Sequence, residues 1–462
     1  MHTLTISLGL VALFAAQVAG QSAPASNSNN SNIYANYDYC QGITPIAGKT
    51  YKPIKGATLQ KVQILMSHGD RTPSAVLPGD KTNYNICSNP AEYNLVSSPS
   101  SHSLPSSSSP ALRTNILVSP EENVFASSYW GGNCEVGQLT NKGSAQTRQV
   151  GQRLREIYID QLHFLPKRLD PEELYVRNTY IWRTRMSAEN FLDGFYPPHT
   201  RDAKNSVITL NTYPQSIETL ILNPTACPKL GLLYQSFFKT LTYTNFFKSN
   251  YALMTKVNTI LGVSKVPTVN QTLNGDTVMP RLCNNLPLGC NPQDPSQCLT
   301  RADAVEAMTQ STFLYSGIFR YESTAEEIKR LAVGPILKTL SASIRATQKA
   351  ASSKASSHKN KDKNKRRVRP FELYSAHDQS LDQILAVIAS PSTPWPAYGS
   401  TVHIELWKTA AKKDMIRVLY EGKVVPAHPK LNCTLDACPL ETFLVFIDSY
   451  VPTNIAAECS PY

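Results

Sequence analysis

Val62-Gln63-Ile64-Leu65-Met66-Ser67-His68-Gly69-Asp70-Arg71-Thr72-Pro73 is a short, mostly apolar run that passes directly into a polar cluster. The run reads as a buried strand of a parallel sheet, being short and bounded by turn signals. The cluster then falls just past the strand's carboxyl end, where open α/β sheets bind ligands. Gly69 permits close backbone approach or an unusual φ, and Pro73 ends regular pairing. An imidazole three residues from a guanidinium suits chemistry on phosphate, one group attacking and the other holding the anion.

Working outward, the chain of 462 residues is 41% hydrophobic and 17% charged, a globular balance long enough for a large core. Residues 1–20 read as a secretory signal: Leu8 to Ala16 is apolar, and Val18-Ala19-Gly20 offers small residues before a cut at Gln21. No later segment is apolar enough to span a membrane, so a secreted or secretory-pathway protein without stable membrane insertion is expected. Ten cysteines, all after the signal, fit disulfides in that compartment. Cys433 and Cys438 are close enough to bridge locally. The cysteines lack the paired spacing or His partners of a zinc site. Sequons stand at Asn29, Asn270 and Asn432.

The net charge of +11 is concentrated in 354–369, where eight basic residues face Asp362 alone. That run reads as a solvated loop. It has no interleaved aromatics, so a nucleic-acid partner is not expected.

Three segments repeat one pattern of strand, polar turn and helix. The first is the opening stretch. The second is Leu174-Tyr175-Val176-Arg177-Asn178-Thr179, then a polar turn Trp182-Arg183-Thr184-Arg185 and a helix opened by Ser187. The third is Phe371 to Ser375-Ala376-His377-Asp378, followed by a helix from Gln379 to Ile388. Thr140 is a good N-cap for a helix running to Tyr158. Thr401–Trp407 and Met415–Tyr420 read as a closing pair of strands, and 439–450 as a helix.

The expected fold is a three-layer α/β/α core with a mostly parallel sheet plus a smaller, mainly helical cap. The core comprises 51–198 and 301–462, interrupted by a low-complexity insert at 97–110 and the basic loop 354–369. Residues 21–50 form a flexible N-terminal segment, and 199–300 a cap or insertion over the strand ends. Parallel strands place their carboxyl ends on one edge, so His68, Arg71, Arg177, His377 and Asp378 can converge.

The ordered set resembles the histidine acid phosphatase branch of the histidine phosphatase superfamily. That family carries Arg-His-Gly-x-Arg-x-Pro early and a His-Asp pair far downstream, here Ser67-His68-Gly69-Asp70-Arg71-Thr72-Pro73 and His377-Asp378. Gly137-Gln138-Leu139-Thr140-Asn141-Lys142-Gly143 is similar to the family's helix start. Val176-Arg177-Asn178-Thr179, with Arg183-Thr184 and Ser187-Ala188, is similar to its middle arginine block. Pro396-Ala397-Tyr398-Gly399 before His403-Ile404-Glu405-Leu406-Trp407 resembles its late strand entry.

The resemblance implies a phosphomonoesterase acting at acid pH without a cofactor or metal. His68 would form a phosphohistidine. Arg71, Arg177 and His377 would hold the phosphoryl oxygens, and Asp378 would protonate the leaving alcohol. The substrate would be a small-molecule or glycan phosphomonoester, since the family spans general acid phosphatases, inositol-phosphate phosphatases and a xylose-phosphate phosphatase. Ser67 replaces the family's first arginine, removing one phosphate-binding guanidinium. The alternative this raises is a catalytically weakened or inactive member that binds a phosphorylated ligand. Arg183 and Arg185 are read as supporting residues and Trp395, Tyr398 and Trp407 as core or rim.

Overall fold

β1 (Ala57–Ser67) sits in the middle of an eight-stranded sheet. The computed structural model describes residues 38–87, 90–93, 112–115, 118, 122–202, 207–263, 275–352, 368–391 and 393–461. The signal segment, the insert 97–110, the basic run through 367 and the sequons at Asn29 and Asn270 lie outside them. The other strands are β2 (Leu174–Asn178), β3 (Leu210–Thr212), β4 (Phe371–Ala376), β5 (Thr401–Thr409), β6 (Asp414–Tyr420), β7 (Lys423–Val424) and β8 (Cys438–Pro439). Their order is β7-β6-β5-β1-β4-β2-β3, with β8 on β6. Pairings among β1, β4, β2 and β3 are parallel, while β5 adds to β1 antiparallel.

Register fixes the edge that matters. Ser67 pairs with Ala376, and Ser375 with Asn178, so β1, β4 and β2 end almost level. Residues 68, 377 and 179 therefore leave the sheet side by side.

Alternation along β1 assigns the two faces. Val62, Ile64 and Met66 pack with Val150 and Leu154 of α1 (Asn141–Arg155) and Phe191 and Phe195 of α2 (Trp182–Phe195). Gln63 points the other way and donates to Leu340 O in α7 (Ala325–Ser352). Between α2 and α7 in the chain lie α3 (Pro228–Phe237), α4 (Leu241–Ile260), α5 (Gly275–Cys283) and α6 (Arg301–Ser316). α8 (Asp378–Ile388) and α9 (Leu440–Asp448) complete the main helices. No described helix is long and apolar enough to cross a membrane. The result is the expected mixed α/β fold with a mostly parallel central sheet.

Several local expectations shift. The helix expected from Ser187 begins at Trp182, so the polar turn Trp182–Arg185 is its first turn. Its charged residues resemble a loop in sequence, yet they lie at a helix N-terminus whose entry residue, Ile181, is extended. Ser187 is no cap: its Oγ accepts the Gly69 N–H at 3.2 Å. α6, which the sequence reading placed in the core, packs on α5, with Val278 and Met279 against Ala304 and Ala307. Of the segment 21–50, residues 21–37 lie outside the described residues, while 38–50 are anchored: Tyr39 is buried and Cys40 is bridged to Cys283.

All ten cysteines pair: Cys40–Cys283, Cys87–Cys134, Cys227–Cys459, Cys290–Cys298 and the local Cys433–Cys438. Cys40–Cys283 joins the chain beside Tyr39 to the end of α5.

Candidate active site

The chain turns at the end of β1 into a loop locked against the start of α1. Gly69 and Gly143 meet back to back: a Cβ on Gly69 would lie 2.2 Å from Gly143 O, and one on Gly143 2.1 Å from Asp70 O. Close approach, not an unusual φ, is what Gly69 provides. Thr140 caps α1 by accepting the Gly143 N–H and donates its hydroxyl to Asp70 Oδ1 at 2.6 Å. Asn284 donates to the same carboxylate oxygen at 2.7 Å. Asp70 thus braces the loop, and its neighbours project into a cavity of about 330 Å³.

His68 stands in the cavity wall and is buried. Its Nδ1 lies 2.8 Å from Gly69 O. A carbonyl oxygen only accepts, so Nδ1 carries the proton and Nε2 keeps its lone pair. Burial first, then the Arg183 and Arg71 guanidiniums and His377, push this imidazole well below the usual histidine range. The His377 ring meets it edge to face, centroids 5.3 Å apart, and is pushed down by burial, Arg183 and Arg71. Its Nε2 is 3.0 Å from Thr179 Oγ1 at the end of β2.

Asp378 opens α8. Its Oδ1 accepts the Gln379 N–H at 2.8 Å, and its Oδ2 accepts from Trp395 Nε1 at 3.2 Å. Burial raises its carboxyl above the ordinary value, against the pull of Arg71 and those two donors. A proton is therefore easier to keep here than on a solvated aspartate.

The arginines are arranged differently from the motif reading. Arg71 lines the cavity as expected. Arg177 does not. It is fully buried, donates through Nη2 to Glu218 Oε1 at 2.5 Å and lies 3.8 Å over the Tyr213 ring. Position 177 is inside β2, so its side chain leaves through a face of the sheet and cannot pass the strand end. Arg183, in the first turn of α2, lines the cavity instead. Burial and Arg71 push it down to about 10. The Nε atoms of Arg71 and Arg183 are buried without a hydrogen-bond partner among the described residues. Arg185 is exposed and pairs with Glu189 at 2.8 Å. Ser67 is buried and absent from the lining, its Oγ 3.4 Å from His68 O.

Sequence reasoning also missed Asp276 in the first turn of α5, whose carboxylate takes Arg71 Nη2, Ser74 N and Ser74 Oγ. No local pattern marks it, since its partners are some 200 residues away in the chain. Tyr39 and Trp395, read as segment and rim, line the cavity too.

The model of the histidine phosphatase superfamily (branch 2) matches residues 58–421. Counting factor 60 of Dictyostelium discoideum is 26% identical over 91% of this chain and 92% of that protein. The human lysophosphatidic acid phosphatase type 6 is 26% identical over 87% of this chain and 86% of that protein. Among solved structures, the phytase of Citrobacter braakii superposes with a TM-score of 0.54 at 14% identity, covering 88% of this chain and all of that one. The likeness to the phytase concerns the fold. The match across most of the chain, with the level strand ends and the His68–His377 pair, means that this chain belongs to the histidine phosphatase superfamily (branch 2), a family of phosphoric monoester hydrolases.

Proposed function

We propose that the protein hydrolyses phosphate monoesters through a phosphohistidine at acid pH. The observation that carries this reading is His68: Nδ1 is tied to Gly69 O, Nε2 is left with its lone pair, and burial beside two guanidiniums resists protonation. In the first step Nε2 attacks phosphorus as the phosphorus–oxygen bond to the alcohol breaks. Asp378 gives its proton to the departing oxygen. Water then attacks phosphorus, Asp378 takes a proton from it, and the phosphorus–nitrogen bond breaks to release phosphate. Arg71, Arg183 and His377 hold the equatorial oxygens, and the two unpartnered Nε–H groups gain acceptors when phosphate arrives. In this scheme Arg183 takes the place first given to Arg177.

Phosphate release from an aryl phosphate, followed from pH 3 to 8, is expected to peak below neutrality and vanish in His68→Ala. A phosphoenzyme trapped by rapid quench should be stable in base, labile in acid and absent from that variant. Equal inactivity of both proteins over the range would sink the proposal.

Ser67 favours a second reading, in which the site binds a phosphorylated ligand and turns it over slowly or not at all. Phosphate binding without turnover would support it. A strong gain of activity in Ser67→Arg would show a site that is merely weakened. The signal at 1–20 and the five disulfides support work in an oxidising compartment. Helices 228–260 and 275–283 are proposed to act as the cap, together with α6.

A further inference from the structure

In the proposed reaction Asp378 holds a proton until the ester bond breaks and carries a charge afterwards. Its carboxyl is gripped at both oxygens. Oδ1 takes the backbone N–H that follows it in the first turn of α8, and Oδ2 takes the indole N–H of Trp395, 17 residues further along the chain. The indole is itself fixed. It is buried, and its ring lies against that of Tyr315 in α6, centroids 5.0 Å apart. Tyr315 Oη accepts from Gln379 Nε2 at 2.5 Å, which leads back to the residue beside Asp378. Asp378, Gln379, Tyr315 and Trp395 thus close a ring of contacts in the cavity wall, joining α8, α6 and the loop before β5. A Trp side chain has one polar group, an N–H that donates and never accepts. It bonds a carboxylate more strongly than a carboxylic acid.

We propose that Trp395 is a positioning residue for proton transfer: its N–H holds the Asp378 carboxyl in place and stabilises the charge that appears there as the proton passes to the departing alcohol. The inference rests on the phosphatase reading above. The proton moves from Asp378 to the leaving oxygen as the phosphorus–oxygen bond breaks, and the indole keeps its own. A donor already aimed at the site of developing charge needs no reorganisation at that moment. The other groups that face Asp378 are Arg71 in the loop after β1, Arg183 in α2, Asp276 in α5 and the hydroxyls of Tyr39 and Tyr315, with His377 just before it in the chain. Burial raises the carboxyl, Arg71, the Gln379 N–H and the indole draw it down, and Asp276 works with burial. The guanidiniums also serve the phosphate. The indole N–H is spent on the carboxyl, so its removal falls on the acid step.

The test uses the full-length protein with methyl, phenyl and p-nitrophenyl phosphate, whose leaving groups need the proton to falling degrees. kcat/KM is measured from pH 3 to 8 for wild type, Trp395→Phe, Asp378→Asn and the double variant. Trp395→Met serves as a second replacement without a donor, and thermal melting checks that each chain is folded. Losing one hydrogen bond to a charged group should lower kcat/KM for methyl phosphate by about tenfold. Phenyl phosphate should lose less, and p-nitrophenyl phosphate least, at under about threefold. The high-pH limb for methyl phosphate should move to higher pH, because Asp378 without the indole keeps its proton longer. In the Asp378→Asn background Trp395→Phe should add little, since it acts through that carboxyl. An equal loss on all three esters overturns the inference, as does a limb that stays or moves to lower pH. Full additivity in the double variant overturns it too. Each of these leaves the phosphatase reading standing, whereas a wild type that releases no phosphate defeats that reading and this inference with it.

Discussion

Replacing Arg183 and Arg177 in parallel separates the arginine that faces the cavity from the one the motif suggested. Arg183 offers a buried, unpartnered Nε beside His68. At roughly 1.5–3 kcal/mol for each charge-assisted hydrogen bond, loss of two such bonds in Arg183→Ala lowers kcat/KM by about 10²- to 10⁴-fold. The same change removes the largest charge-based cause of the low His68 basicity. The neutral imidazole is the nucleophile, so a rise in its pKa moves the acid limb of the kcat/KM profile to higher pH. Burial, the larger cause, remains, so the limb moves only part of the way towards an ordinary histidine. Arg177→Met strands the buried Glu218 carboxylate, which keeps its Thr219 and Leu220 N–H donors at 2.7 Å. Breaking a buried pair in this way costs about 3–5 kcal/mol of stability, while turnover of the folded fraction stays close to wild type. Phosphate-release kinetics across pH and thermal melting read the two effects. The reasoning is refuted if Arg177→Met abolishes turnover at an unchanged Tm while Arg183→Ala is active. It is equally refuted if the acid limb in Arg183→Ala moves to lower pH.

Asp378→Asn should slow alkyl phosphates by about 10²- to 10⁴-fold and p-nitrophenyl phosphate far less, because a good leaving group needs no proton; equal losses on both would remove the acid role. Gly69→Ala forces a Cβ to within 2.2 Å of Gly143 O and should cost about 1–3 kcal/mol of stability by overpacking, together with activity, as read by melting and phosphate release. Glu421 is buried, accepts from Ile43 N at 2.5 Å and Ser400 Oγ at 2.6 Å, and is pushed up to about 7 by burial. The folded chain therefore keeps a proton that the unfolded chain loses above about pH 4.5, and stability falls as pH rises to about 7, by up to about 3 kcal/mol. Glu421→Gln should flatten that slope in denaturant titrations, and an unchanged slope would assign it elsewhere.

The sequence by itself determined the strand that ends at Ser67, the mixed α/β core, and the strand-end placement of His68, Arg71, His377 and Asp378, which line one cavity. These were legible because period, apolar runs and turn residues are local, and parallel strands align their carboxyl ends. Motif spacing was a poorer guide to Arg177 and Arg183, since both stand in one block of similar residues. Tertiary structure separated them. A side chain within β2 leaves through a sheet face and meets Glu218, whereas the first turn of α2 lies over the strand ends. The same is true of Asp276 and Tyr39. Each reaches the cavity through packing of α5, the Cys40–Cys283 bridge and the loop after β1, contacts made across some 200 residues of chain that carry no local signal. Chemistry that hangs on a strand end can be read from its strand; chemistry brought in from another layer exists only once the layers have met.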